Sequence, residues 1–101
     1  MIDQAKLEEL KQKHGDVYLL TKDEDQIAVR KPTRAEIMRI IDKGGDVRYA
    51  DLQQLVTGCA LFPEGPELAS LLQERPGLVI PFSEGLTRIA GLSKGIETKK
   101  A

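Results

Sequence analysis

The chain carries one histidine and one cysteine, His14 and Cys59, the side chains best suited to bind a transition metal or to act as a nucleophile. A transition-metal site needs several such ligands at suitable spacing, and these two lie far apart in the sequence. Helical spacing places Cys59 on the same apolar face as Leu55 and Val56, where a free cysteine packs as a small hydrophobe. We therefore predict no bound metal and no cysteine chemistry.

Three other kinds of site are suggested by residue type but lack the required arrangement. The acidic run Asp23–Asp25 has neither the ligand alternation nor the glycine of an EF-hand loop, so a solvated hairpin tip is the better interpretation. The glycines do not form a phosphate-binding loop, and Ser83 lacks the Gly-x-Ser-x-Gly frame of a nucleophile elbow. The sequence predicts that the protein is not an enzyme and uses no cofactor.

Composition restricts the partners and the compartment. A chain of 101 residues fits one domain. Its 15 basic and 16 acidic residues give a net charge of -1, so no overall field attracts nucleic acid or an acidic membrane. A single cysteine is compatible with a reducing cytoplasm, and no basic region followed by an apolar run marks a secretory signal. We expect a cytoplasmic protein without membrane contact.

The amino-terminal half predicts a helix and then a β-hairpin. Asp3–Lys13 is rich in helix formers, with Asp3 as N-cap, but its apolar face is thin, so we expect it to be exposed or loosely docked. Val17–Thr21 and Gln26–Arg30 have strand composition and flank a short polar loop, which is typical of a hairpin. Pro32 then ends the second strand.

The remaining chain predicts helices. Thr33 followed by Glu36 forms a capping box, and Ile37, Ile40 and Ile41 follow at helical spacing. Three more short apolar helices are separated by two Pro-Gly breaks: Leu52–Phe62, Glu67–Glu74 and Phe82–Ala90.

The predicted fold class is α+β, mainly α: an amino-terminal helix, one β-hairpin, and a compact bundle of about four short helices. We divide the chain into an amino-terminal helix over 1–15, a single globular domain over 16–92 and a flexible tail over 93–101. Within the domain, the hairpin covers 17–30 and the helical part covers 33–91.

Apolar residues crowd around the second Pro-Gly break. They exceed what two short helices usually need, so two interpretations stay open: they form the core, or some of them line an exposed groove for an amphipathic helix or for self-association. The candidate partner-binding residues are Leu71, Leu72, Leu78, Val79, Phe82 and Leu86.

A helix-turn-helix is a second functional hypothesis. Two predicted helices flank Gly44-Gly45, and the second would present Asp51, Gln54 and their polar neighbours outward. Arg48 is the only basic residue there, whereas phosphate neutralisation normally needs several. DNA binding is therefore the alternative to a protein-binding role, in the form of a small prophage-encoded regulatory protein.

The order of these motifs resembles the small tail assembly chaperones of long-tailed bacteriophages and prophages. The resemblance covers Val17–Gly91 and rests on the strand pair, on the segment Arg30–Glu36 with its Lys-Pro-Thr-Arg-Ala-Glu entry, and on the segment Leu68–Leu78 with its Arg-Pro-Gly-Leu end. It implies a non-catalytic protein that coats the helical, aggregation-prone tape measure protein until tail tube subunits replace it. It also implies self-association.

Overall fold

The computed structural model of the chain describes residues 2–91, and the predicted tail over 93–101 lies outside them. Within the described residues, five α-helices, two short 3-10 helices and a three-stranded sheet make an α+β fold that is mainly helical, as predicted. Four of these α-helices follow the hairpin. In chain order the elements are α1 Gln4–His14, β1 Tyr18–Lys22, β2 Asp25–Val29, α2 Arg34–Lys43, a 3-10 turn Gly44–Asp46, α3 Tyr49–Cys59, β3 Ala60–Phe62, α4 Gly65–Glu74, a 3-10 turn Pro76–Leu78 and α5 Val79–Ile89.

The predicted hairpin is confirmed, and it gains a third strand. β1 and β2 pair antiparallel, with Lys22 opposite Asp25. At the turn, Asp23 adopts the left-handed conformation (φ 55). β3 pairs antiparallel with the other edge of β2, and the Arg30 amide donates to the Cys59 carbonyl at 3.0 Å. The prediction that the helix from Leu52 continues to Phe62 is wrong, because the open edge of β2 recruits the last residues as a strand.

The two faces of the sheet contact different helices. Ile27 and Val29 point into the main core, where α3 and α5 pack against each other. The main core consists of Ile27, Val29, Leu55, Val56, Cys59, Leu68, Leu72, Leu78, Val79, Phe82 and Leu86.

Helix α1 lies against part of the second face of the sheet. Ala28 points there because strand side chains alternate, and it is fully buried. The ring of its strand partner Phe62 lies 4.9 Å from Nζ of Lys6. Leu10 is buried, and the Ile2 amide donates to Gln26 Oε1 at 2.9 Å. The expected N-cap Asp3 is present, and the helix is loosely docked, as expected, since Leu10 is the one buried residue along Gln4–His14.

Helix α5 begins at Val79, three residues before the predicted start at Phe82. Pro81 lies in the first turn, where its missing N–H leaves no helical hydrogen bond unmade. Gly85 then brings the helix against β1: a Cβ atom at this position would lie 2.7 Å from Leu20 Cδ2. The glycine therefore permits a close helix–strand contact that a larger residue would obstruct.

Candidate protein-binding surface

A polar network at the start of α2 fixes this helix on the domain. Arg30 donates to both carboxylate oxygens of Glu36 at 2.9 Å and to the Gly58 carbonyl at 2.9 Å. Glu36 also accepts the Thr33 amide at 2.8 Å, while Thr33 Oγ1 accepts the Glu36 amide at 3.2 Å, which completes the predicted capping box. The bidentate pair ties α2 to the end of β2 and to α3.

The network shifts the ionisation of its members. The hydrogen bonds from Arg30, reinforced by the Thr33 amide, lower the pKa of Glu36 from 4.5 to about 2 in spite of partial burial. The same pairing raises the pKa of Arg30. Both groups therefore stay charged at any pH near neutrality, and the pair is a structural contact rather than a proton donor or acceptor.

Cys59 lies beside this network as a packed thiol. It is fully buried, with Sγ 3.8 Å from Glu36 Oε1. Burial is the main reason that its pKa rises from 9.0 to about 11, and the Glu36 carboxylate adds to the effect. The thiolate is therefore scarce at neutral pH, in agreement with the expected packing role.

Helix α2 turns only part of its apolar surface inward. Ile37 is buried and Ile40 is half-buried against the main core. Met38 and Ile41 are 39% and 47% exposed. Single exposed apolar side chains are ordinary, but these two stand three residues apart and are neighbours on one helix surface.

The exposed side of α2 borders a cleft of about 330 Å³, which we call the α2 cleft. It is lined by residues 31–34, by Ile37 and Met38 of α2, and by Ala90 after the end of α5. Pro32 and Ile37 make its floor apolar, since both are buried. Lys31 and Arg34 contribute two cations, and no carboxylate is among the lining residues within the described part of the chain.

The residues predicted to bind a partner lie elsewhere. Five of the six belong to the main core, each no more than 8% exposed, and Leu71 is half-buried against it. Of the two interpretations that the sequence left open, the structure places Leu72, Leu78, Val79, Phe82 and Leu86 in the core. At the second Pro-Gly break the exposed apolar side chains are instead Ile80 and Tyr49, whose hydroxyl donates to the Pro76 carbonyl at 2.8 Å.

The sequence of α2 contains a signal for its exposed apolar surface. Four of the ten residues of α2 are Ile or Met, spread over an arc wider than one packing face. The predicted stripe of Ile37, Ile40 and Ile41 leaves out Met38 and includes Ile41, which is exposed. Which part of that arc stays uncovered depends on how α3 and α5 pack, and helical spacing alone does not specify this.

The described residues contain neither a cluster of metal ligands nor a membrane-spanning helix. Across residues 2–91, no three His, Cys, Asp or Glu side chains come close enough to hold a metal ion. The helices of the same residues are all too short or too polar to cross a bilayer.

Comparisons with known proteins show the family and the fold. A family model described as "Domain of unknown function (DUF6848)" matches residues 10–99. The solved structure of an uncharacterised protein from Bacillus stearothermophilus is similar, with a TM-score of 0.80 and 25% sequence identity. The match covers 92% of this chain and 99% of that one. A search of curated proteins finds no match.

Proposed function

This chain belongs to the DUF6848 family of unknown function, and from its own residues we propose that it is a tail assembly chaperone of a bacteriophage or prophage. In this role it binds helical segments of the tape measure protein without catalysis. It keeps that long protein soluble until tail tube subunits take its place. Its site of action is the cytoplasm of the bacterial host.

The observation that carries the proposal is the uncovered apolar side of α2. Met38 and Ile41 are exposed beside the α2 cleft on a helix that a bidentate ion pair holds in place. An amphipathic helix docks in such a groove through apolar residues at i, i+3, i+4 and i+7. Methionine suits a surface that accepts many different sequences, because its unbranched, polarisable side chain adapts to irregular partners.

The identity of the partner rests on the resemblance to tail assembly chaperones. The capping segment that carries part of this resemblance, Arg30–Glu36, contains the ion pair that fixes α2. A surface that coats successive helical segments of one long protein needs weak, repeated contacts and no chemistry. The small apolar area around Met38 and Ile41, with a charged rim, meets that requirement.

The DNA-binding alternative has less support. In the second helix of the suspected helix-turn-helix, Asp51 is in the first turn and forms an ion pair with Lys43. Lys43 is therefore already paired with a carboxylate and is less available to bind a DNA phosphate. The neighbouring residues, half-buried Gln53 and exposed Gln54, are uncharged.

The test is co-expression with the long, helix-rich protein encoded nearby in the same tail operon. Wild-type protein should keep it in the soluble fraction. The double variant Met38→Glu, Ile41→Glu should let it precipitate, because two carboxylates would be forced against an apolar partner face. A circular dichroism melt should show both chaperone forms folded, since both replaced side chains are exposed.

Leu19→Glu, Ile80→Glu is the matched control. These two side chains are 39% and 45% exposed, fractions similar to those of Met38 and Ile41. They lie on other surfaces, on β1 and at the start of α5. The control should retain full activity. Equal precipitation with and without wild-type protein would overturn the chaperone function. If the long protein precipitates with the control variant but not with the α2 variant, the binding surface lies on another face.

A further inference from the structure

The α2 cleft combines an apolar floor with an unbalanced set of charges. Lys31 and Arg34 line it, and within residues 2–91 neither makes an ion pair. By contrast, Arg30, Lys43 and Arg75 each pair with a carboxylate of the described chain. The one acidic residue on the outward side of α2, Asp42, lies a full turn beyond Met38 and does not line the cleft.

The dimensions fit a short stretch of helix. Helix α2 has ten residues, which corresponds to a length of about 15 Å. An apolar cavity of about 150 Å³ holds one benzene molecule, so the cleft of about 330 Å³ has room for roughly two side chains of that size. Ile41 continues the apolar surface one turn further along the helix.

From these charges and dimensions we propose that the α2 cleft selects amphipathic helices whose apolar stripe is flanked by carboxylates. Two apolar side chains enter the cleft beside Met38, and the flanking Glu or Asp residues meet Lys31 and Arg34. This inference rests on the proposed function and specifies which helical segments of the partner are bound. Cations at the rim of an interface act mainly through partner choice and association rate, so they discriminate between acidic and basic helices.

Two designed peptides test the charge preference. Both are amphipathic helices of about four turns with the same leucine stripe, and they carry either glutamate or lysine at every flanking position. Fluorescence anisotropy with wild-type protein at low salt should give at least about tenfold tighter binding for the glutamate peptide. The advantage should shrink as salt is raised, because the contacting charges are exposed.

Two charge-reversal variants show whether Lys31 and Arg34 cause the preference for the glutamate peptide. Lys31→Glu, Arg34→Glu should abolish or invert it. Lys11→Glu, Lys22→Glu changes the net charge by the same amount on other surfaces and should leave it unchanged. Equal binding of the two peptides to wild-type protein, no binding of either, or the same loss in both variants would overturn the proposed selectivity.

Duplex DNA as a competitor separates two kinds of anionic partner. It should displace the glutamate peptide poorly. Efficient displacement at low salt would assign Lys31 and Arg34 to phosphate and overturn the helix proposal. The co-expression experiment and the peptide experiment test separate claims. A cleft without charge preference could still keep a helical partner soluble, so loss of the selectivity would not overturn the chaperone function.

Discussion

At the scale of single residues, the contact between Arg30 and Glu36 determines where the proposed binding helix lies. It joins the end of β2 to the first turn of α2, and the Gly58 carbonyl connects it to α3. Glu36 was predicted only as one half of a capping box. Its second role depends on Arg30 and on the approach of α3, a contact over 28 positions in the sequence that local spacing does not reveal.

Replacing Glu36 with Gln should lower the free energy of unfolding at pH 7 by about 2 kcal/mol. This is less than the pKa shift alone would give, because Arg30 is 35% exposed and the pair is screened. The folded-state pKa of Glu36, about 2, lies below its ordinary value of 4.5. Its contribution is therefore present above pH 4.5 and lost as the pH falls toward 2. Urea unfolding between pH 2 and pH 7 measures both effects.

Glu84→Gln is the control for this variant. Glu84 is exposed on α5 and makes no ion pair within the described residues, so its loss should cost less than about 0.5 kcal/mol. If the free energy of unfolding falls with decreasing pH in the same way in the Glu36 variant as in wild type, the pair with Arg30 contributes nothing to folding.

At the scale of elements, the packing of α5 on β1 depends on a missing side chain. Gly85 lies in the middle of an eleven-residue helix, where alanine would ordinarily gain about 1 kcal/mol. A Cβ atom there would lie 2.7 Å from Leu20 Cδ2, so the gain is opposed by crowding.

The effect of Gly85→Ala should therefore depend on the residue at position 20. In the wild-type background we expect little or no stabilisation, and in a Leu20→Ala background we expect a gain of about 1 kcal/mol. Gly58→Ala is the matched control, because its Cβ would meet Glu36 Oε2 at 3.2 Å and not Leu20. Its effect should be the same in both backgrounds. Equal effects of Gly85→Ala in the two backgrounds, measured by chemical denaturation, would contradict the close contact.

At the scale of the whole molecule, local signals predicted the element types well. The capping box at Thr33, the polar hairpin tip at Asp23 and the proline near the start of α4 each act within a few residues. The fold class and the bundle of four helices after the hairpin follow from them. Sequence spacing is sufficient there because the determining hydrogen bonds and backbone restrictions are local.

The features that depend on distant contacts were not predicted. β3 forms because the edge of β2 is open, and Ala60–Phe62 has too few residues to carry a pattern of its own. Leu10 is buried, but the thin apolar face of α1 does not specify which surface of the domain it meets. For the same reason, the sequence left open whether Phe82 faces the core or a groove, and helical spacing did not show that Met38 faces outward.

The proposed binding surface determines which part of the molecule should respond to a partner. Hydrogen–deuterium exchange of the free protein and of its complex with the proposed partner, a tape measure protein, measures this directly. We expect exchange to slow in α2, Arg34–Lys43, and in the preceding residues 31–33, with little change in α5. Slower exchange over residues 71–86 with α2 unchanged would contradict the assignment and return the binding surface to the second Pro-Gly break.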